Sequence, residues 1–203
     1  AITGFEALCR WKHPERGYIP PTKFIPIAVE AGLIVQLGAW VLHEACRQIR
    51  EWQGGDLDGL PVAINLSGQQ FSQSDVYRDV VNAIKEHGIS ANLLELELTE
   101  SELMADANKT IFTLGKLKQA GLSIAVDDFG TGYSSLAYLN RFPIDALKID
   151  QSFSLESVDG NDNFPICSAI IALAHSLKMK VIAEGVETVE HQRELVALSC
   201  DEM

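Results

Sequence analysis

Short apolar runs alternate with longer segments of helical spacing along this chain. The runs are four to six residues long and rich in aliphatic side chains, as is typical of buried strands. We predict six strands from them, at Gly4–Leu8, Pro61–Leu66, Leu94–Leu98, Ser123–Val126, Ala146–Ile149 and Lys180–Ala183.

The segments between these runs are predicted to be helices. Helical spacing of apolar residues is found at Val35–Trp52, Val76–His87 and Ile166–Leu177. Gly88 and Gly121 follow such segments as expected C-terminal caps. In the first helix, the predicted buried face carries Leu37, Val41, Ala45, Gln48 and Trp52.

Two further local predictions concern the aromatic residues and the N-terminal region. Trp40 and Trp52 are separated by helical spacing, so we expect both in the core. Residues 12–21 (KHPERGYIPP) contain three prolines and are predicted to form a structured loop before a helix.

About six repeats of strand and helix indicate an α/β fold with parallel strands. Such units either form an open sheet or close into a (β/α)₈ barrel, and no G-x-G-x-x-G follows the first strand to support a dinucleotide-binding sheet. A barrel takes eight units and about 250 residues, so it would lack parts at one or both ends here. With 203 residues and 47% hydrophobic content, the chain is predicted to be one domain, 1–203.

The charge and the cysteines exclude several classes of function. A formal net charge of -12 without a cluster of Lys and Arg disfavours binding to nucleic acid polymers. The four cysteines form no C-x-x-C pair, which argues against a zinc cluster and fits free thiols in a cytosolic protein. The five histidines lack metal-like spacing along the sequence, so no catalytic role is predicted for them.

Polar side chains occur at the end of every predicted strand. In parallel βα folds the loops after the carboxyl ends of the strands line one common rim, where catalytic groups gather. Several of these residues lie inside apolar runs, and a buried charge is costly unless it is paired or bound to metal. The candidates, in chain order, are Glu6 with Arg10, Asn65, Glu97 with Glu100, Asp127 with Asp128, Lys148 with Asp150, and Glu184 with Glu187.

Oxygen ligands of this kind predict a site for hard cations such as Mg²⁺ or Mn²⁺. The adjacent carboxylates of Asp127 and Asp128 repel each other, and two bound ions would relieve that repulsion. A centre with two ions suits displacement at phosphorus. The alternative is that Asp127, Asp128 and the following glycines form an ordinary turn at the end of a strand. Glu95, which alternates with Glu97, is predicted to be structural.

Six motifs carry a resemblance to a known family. FEALCRW, INLS, ELTES, DDFGTGYSSL, KID and AEGVET occur in this order across nearly all of the chain, which thus resembles the EAL domains, bacterial phosphodiesterases that hydrolyse cyclic di-GMP. The resemblance implies a modified (β/α)₈ barrel with one antiparallel strand. Its first strand and last unit are absent from this sequence, so residues 1–203 would be an EAL domain that is partial at both ends.

The resemblance also implies roles for the candidate residues. Two ions, Mg²⁺ or Mn²⁺, would activate a water that opens cyclic di-GMP to linear pGpG. Arg10 and Leu8 would bind substrate, and Glu100 would hold the mobile loop Phe129–Leu136 in its working position. Lys148, Glu184, Glu100 and Glu187 would be catalytic, and the metal ligands would be Glu6, Asn65, Glu97, Asp127, Asp128, Asp150 and Glu184.

Two alternatives remain open from the residues alone. Lys148 on a late strand could form a Schiff base, as in aldolases. An EAL domain can also be an inactive receptor that binds cyclic di-GMP without hydrolysing it. The resemblance further implies a homodimer, fusion to sensory or GGDEF domains in a longer protein, and a cytoplasmic location, including the cytoplasmic part of a membrane-anchored protein.

Overall fold

The computed structural model describes residues 1–131, 136–154 and 164–203. The chain divides into two compact units, of which unit 1 comprises residues 1–97 and 116–122 and unit 2 comprises residues 98–115 and 123–203. Within the described residues, no helix combines the length and the apolar character that a membrane crossing requires.

Unit 1 is built on three parallel strands: β1 (Phe5–Ala7) pairs with β4 (Val62–Asn65), which pairs with β5 (Leu94–Thr99). The register places Glu6 opposite Ala63 and Asn65 opposite Glu97. A separate antiparallel hairpin is formed by β2 (Trp11–His13) and β3 (Gly17–Ile19). The remaining elements are α1 (Pro21–Glu30), α2 (Ile34–Trp52), α3 (Gly68–Gln73), α4 (Val76–His87) and a 3₁₀ turn at Ala91–Leu93.

Unit 2 contains three more parallel strands, with β6 (Ser123–Phe129) beside β7 (Ala146–Ile149) and β7 beside β8 (Lys180–Ala183). Glu202 continues the pairing beyond β8 by a bridge to Ile182. The helices are α5 (Glu100–Ala105), α6 (Ala107–Gln119), α7 (Leu136–Leu139), α8 (Gln151–Ser154), α9 (Phe164–Ser176) and α10 (Val189–Ala197), with α6 extending into unit 1.

The predicted secondary structure is largely confirmed. All six predicted strands are present, and β7 and β8 have the predicted bounds. The helix at Val76–His87 is also confirmed, and Gly88 ends it in the left-handed conformation with φ 64°. Asp75 begins the same helix by accepting a hydrogen bond from the Arg78 backbone N–H at 3.1 Å.

Three local predictions were wrong. Residues 12–21 contain most of the β2–β3 hairpin, whose turn at residues 14–16 leads into Gly17, the first residue of β3, with a left-handed φ of 69° that glycine adopts readily. The buried residues of α2 are Ile34, Leu42, Ala45, Cys46 and Ile49. Of the residues predicted to form the buried face, only Ala45 is among them. Trp40 is 57% exposed rather than in the core.

Spacing alone misjudged α2 because two neighbouring stripes of this helix are both apolar. One stripe enters the core, and the other, which includes Val41 and Trp52, borders a cavity beside β1. Trp52 lies against Phe5 with ring centroids 4.9 Å apart, so it has a packing role as predicted, although it is not fully buried.

The contact between α2 and α3 depends on a glycine. The side chain of buried Gln70 lies directly over Gly38, where a Cβ atom would overlap its amide. The same amide oxygen accepts hydrogen bonds from the Ser67 N–H and hydroxyl, both at 3.0 Å, in the capping box that begins α3. A side chain at position 38 would therefore displace the cap of the neighbouring helix.

We expect Gly38→Ala to lower the free energy of unfolding by ~1–2 kcal/mol, since it forces Gln70 away from its capping bonds. Gly115→Ala is the matched control, because this helical glycine of α6 has open space around it and alanine is favoured in a helix by up to ~1 kcal/mol. Urea unfolding of both variants measures the difference. Equal stability of the two variants would contradict this account of the α2–α3 contact.

Candidate functional site

The two adjacent aspartates of unit 2 lie in a β-bulge. Val126 pairs with Leu147 and Phe129 pairs with Ile149, so Asp127 and Asp128 together stand opposite the single residue Lys148. Asp128 has φ 52°, a left-handed conformation that is uncommon outside glycine. The sequence DDFG thus folds neither as a continuous strand nor as a simple turn, and the bulge brings both carboxylates to the end of β6.

A buried lysine forms ion pairs with two carboxylates at these strand ends. The ammonium of Lys148 lies 3.3 Å from Asp127 Oδ1 and 2.6 Å from Glu184 Oε1, and the lysine side chain is only 6% exposed. Glu184 follows β8 directly, and its N–H donates to the carbonyl of Ile149 at 3.1 Å. Neighbouring strands therefore fix one cation and two anions within a small volume.

Asp128 supplies the third carboxylate of this cluster, and its pKa is shifted. Burial, followed by the nearby carboxylates of Asp127 and Asp150, raises the pKa of Asp128 to about 6. Burial also acts to raise the pKa of Asp150, but hydrogen bonds from Ser152 outweigh it and the net shift is downward. Without a cation, Asp128 is therefore the member of the group that most readily keeps a proton.

Gly185 is a site residue that sequence reasoning missed. It has φ 66°, and an added Cβ would lie 2.6 Å from the Cβ of Gln151. Any side chain here would push away the loop that carries Glu184. The glycine directly after Glu184 in AEGVE is the signal that could have identified it.

Glu100 lies apart from this cluster in unit 2, at the first turn of α5. It is 8% exposed, and it borders a small apolar cavity together with Val126, Phe129, Leu139 and Phe142 among others. Its Oε2 atom has no hydrogen-bond partner among the residues that the structure describes. The loop that Glu100 is predicted to hold falls mainly on residues 132–135, which lie outside the described residues.

The strand ends of unit 1 carry a second group of side chains with oxygen atoms. Asn65 donates a hydrogen bond from Nδ2 to Glu6 Oε1 at 2.9 Å. Glu97 is opposite Asn65 in the parallel register and is 2% exposed. The structure thus brings the predicted residues Glu6, Asn65 and Glu97 to consecutive strands of one small sheet.

A cavity of about 320 Å³ opens beside these strands in unit 1. Glu6, Leu8 and Arg10 line it on one side, and Trp40 and Trp52 of α2 line it on the other. Leu8 is 53% exposed. The guanidinium of Arg10 donates a hydrogen bond to the adjacent carbonyl of Cys9 at 3.0 Å, and the residue is exposed.

Two expectations about these residues need correction. Glu6 and Asn65 are exposed rather than buried, although each lies between apolar neighbours in the sequence. Successive side chains of a strand point to opposite faces, so apolar neighbours in the sequence do not cover them. Glu187 is exposed, and its supporting role at the lysine cluster stays a prediction. Among the described residues, the charged candidates that fulfil the expectation of burial are Glu97, Glu100 and Lys148.

The cluster in unit 2 fits a hard cation. Asp127, Asp128 and Glu184 each offer a carboxylate oxygen, and these three oxygens all lie within 4.8 Å of one another. Three anions with one lysine leave an excess of negative charge, which adds to the effect of burial in raising the pKa of Asp128. Carboxylate oxygens at this separation are the ligands that Mg²⁺ and Mn²⁺ prefer.

Comparison with known proteins gives consistent results. The profile of the EAL domain matches residues 1–203. The chain is 46% identical over 202 residues to the bifunctional diguanylate cyclase/cyclic di-GMP phosphodiesterase MucR of Pseudomonas aeruginosa, covering 100% of this chain and 30% of the relative. It is 45% identical over 183 residues to the cyclic di-GMP phosphodiesterase NbdA of the same organism, covering 90% of this chain and 23% of the relative.

Solved structures agree with the fold. The PaMucR phosphodiesterase in complex with c-di-GMP superposes with a TM-score of 0.93 at 47% identity, covering 98% of this chain and 81% of the other. The EAL enzyme Bd1971 gives 0.90 at 35% identity, over 98% of this chain and 55% of the other. The α/β fold class with barrel-type topology is thereby confirmed. The chain spans less than a third of the two curated relatives described above.

The raised pKa of Asp128 generates a testable dependence of stability on pH. In the ion-free protein the folded state holds this proton more tightly than the unfolded state, so stability falls as pH rises from about 4 through about 6. Mn²⁺ needs the ionised carboxylate. We therefore expect Mn²⁺ to raise the melting temperature clearly at about pH 7.5 and much less at about pH 5.

Thermal melts with EDTA and with Mn²⁺ at both pH values measure this effect. Asp128→Asn is the informative variant, since it keeps the side-chain shape and tolerates the left-handed backbone but cannot ionise. Its ion-free melting temperature should lose the fall between pH 4 and 6 that Asp128 causes. An increase with Mn²⁺ that is the same at both pH values in the wild type would contradict this assignment.

Proposed function

The chain belongs to the EAL domain family, and from this premise and the geometry of its strand ends we propose that it hydrolyses cyclic di-GMP to linear pGpG with Mg²⁺ or Mn²⁺. Such activity lowers the level of a bacterial second messenger. Support comes from relatives that are named cyclic di-GMP phosphodiesterases and from a related structure that holds c-di-GMP.

One observation carries this proposal: the buried ammonium of Lys148 contacts both Asp127 and Glu184, beside a third carboxylate from Asp128. A purely structural ion pair needs one anion for one cation. Here three carboxylate oxygens within 4.8 Å surround a position suited to a further cation. This arrangement supports a catalytic centre rather than a turn that only ends a strand.

Asp127, Asp128 and Glu184 would hold a divalent ion. In the ion-free protein protonated Asp128 donates a hydrogen bond to Asp150, and this bond would be lost when Asp128 ionises to bind the ion. When bound, the ions supply Lewis-acid polarisation of a phosphodiester and a lowered pKa for water. Lys148 keeps Asp127 and Glu184 at fixed positions and offers N–H donors to a water or a phosphate oxygen. We assign Glu184 a catalytic role as proton acceptor, which its 29% exposed side chain directly after β8 supports.

We assign Glu6, Asn65 and Glu97 as metal ligands of unit 1. Their support is the Asn65–Glu6 hydrogen bond and the burial of the Glu97 carboxylate at the end of a strand. An amide and two carboxylates again form an oxygen-only set. That these ligands and those of unit 2 serve one centre with two ions stays a prediction, as do the homodimer, the fused sensory or GGDEF domains and the cytoplasmic location.

Arg10 and Leu8 are proposed to contact the substrate. Both line the cavity beside β1, where the exposed guanidinium can pair with a phosphate and the exposed leucine and Trp40 offer apolar surface to a base. A substrate with two phosphates needs such positive charge in a chain with a net charge of -12. The supporting role of Glu187 stays a prediction.

The Schiff-base alternative is not supported by the geometry of Lys148. A nucleophilic lysine must be a neutral amine, whereas two carboxylates at 2.6 and 3.3 Å stabilise the charged ammonium. The receptor alternative is also disfavoured, because the cluster of Asp127, Asp128 and Glu184 is intact. Tight binding of cyclic di-GMP without any turnover in Mn²⁺ would nevertheless identify a receptor.

We expect Asp127→Asn and Glu184→Gln to reduce the rate of cyclic di-GMP hydrolysis by at least ~100-fold, since groups that merely support metal ligands already contribute ~10–100-fold. Each change keeps the size of the side chain and removes the charge that holds the cation. Product formation in Mn²⁺, with and without EDTA, measures the effect. Glu95→Gln is the control on a neighbouring strand position and should retain activity, so equal activity of all variants would contradict the proposal.

Glu100 is proposed to act on catalysis indirectly, by holding the segment that follows DDFG. Its buried Oε2 borders Phe129, the last residue of β6, so the carboxylate lies next to where this segment begins. We expect Glu100→Gln to lower kcat for cyclic di-GMP by ~10-fold or more while the Mn²⁺-dependent rise in melting temperature persists. Glu102→Gln, in the capping box with Thr99, tests mere helix stability and should affect melting more than kcat. A Glu100 variant that loses Mn²⁺ binding as well would contradict a role through the loop.

A further inference from the structure

Two histidines and a glutamate meet on the surface of unit 1, away from the strand ends. His43 lies on α2, and Glu86 and His87 are the last two residues of α4, which packs beside α2. His43 Nδ1 is 3.2 Å from His87 Nε2 and 4.0 Å from Glu86 Oε2. Among the described residues, this is the one group besides the aspartate cluster in which three such ligand atoms all lie within 4.8 Å of one another.

We propose that His43, His87 and Glu86 form a binding site for Zn²⁺ or a similar late transition metal. Zinc bound tetrahedrally at about 2.0–2.1 Å places two imidazole nitrogens about 3.3–3.4 Å apart. The observed 3.2 Å separation between His43 Nδ1 and His87 Nε2 is close to this distance, so rotation of the two imidazole rings could direct both nitrogens at one ion without movement of either helix. Glu86 requires only a small rotation of its exposed side chain, and water completes the coordination.

The position of the site also favours a cation. His87 and Glu86 are at the C-terminal end of α4, where the helix dipole is negative. The neighbouring Glu44 adds negative charge close to His87 but is itself held by Arg47 at 2.6 Å, so it is not one of the ligands. Three ligands and favourable local charge therefore coincide at one accessible point.

The ligand chemistry separates this site from the acidic cluster of unit 2. Two imidazoles and one carboxylate suit Zn²⁺, Ni²⁺ or Cu²⁺, whereas the oxygen-only cluster suits Mg²⁺ or Mn²⁺. A metal here would link two helices through residues 44 positions apart in sequence. It would stabilise unit 1, and it requires no role in the hydrolysis proposed above.

The test uses the full chain in buffer with excess Mg²⁺, so that the oxygen-only cluster does not compete for zinc. Calorimetric titration with Zn²⁺ should show one equivalent that is lost in His43→Ala and in His87→Ala and weakened in Glu86→Gln. The control is His175→Ala, because His175 forms a comparable exposed pair with Asp201 at 3.0 Å. Asp127→Ala should retain the zinc equivalent, which separates this site from the catalytic proposal.

Two further measurements make the result independent of variant folding. In the wild type, ¹⁵N spectra of the imidazoles should show Zn²⁺-dependent shifts at His43 Nδ1 and His87 Nε2, and circular dichroism of the variants should match the wild type. Zn²⁺ should raise the melting temperature of the wild type and not that of His87→Ala. Imidazole signals that do not respond to zinc would show that the two rings only bond to each other and would overturn the proposal. An equivalent that survives in both histidine variants would do the same.

Discussion

The ion pairs of Lys148 are the constraint on which the strand ends of unit 2 depend. A lysine that is 4% exposed needs anionic partners, because an isolated buried charge costs several kcal/mol. The partners come from the two flanking strands, Asp127 from β6 and Glu184 from the end of β8. The relative register of three strands is thus linked to the position of one ammonium group.

The same constraint explains the local backbone. One residue of β7 faces two residues of β6, and in the resulting bulge the carboxylates of both aspartates lie close together and near Glu184 rather than on opposite faces of the sheet. Regular alternation would have placed one of them on the far face. The cluster therefore combines carboxylates that ordinary strand geometry would separate, and the excess negative charge creates the demand for a further cation.

Much of this arrangement could be predicted from the sequence. The aliphatic runs identified the six parallel strands, because buried strands are rich in aliphatic residues, and DDFG, KID and AEGVE located the carboxylates and the lysine. The bulge could not be predicted, because it depends on pairing between β6 and β7. The exposure of Trp40 and of Glu6 likewise depends on which neighbours cover each side chain, and the approach of His43 to His87 joins residues that sequence spacing keeps apart.

The backbone at position 128 limits what evolution can place there. A φ of 52° admits glycine, asparagine and aspartate far more readily than branched or bulky residues. Of these three, aspartate alone brings an ionisable group. Aspartate is therefore the one residue that meets both the conformational and the charge requirement at this position. A replacement by asparagine or glycine would preserve the path of the backbone and remove the anion.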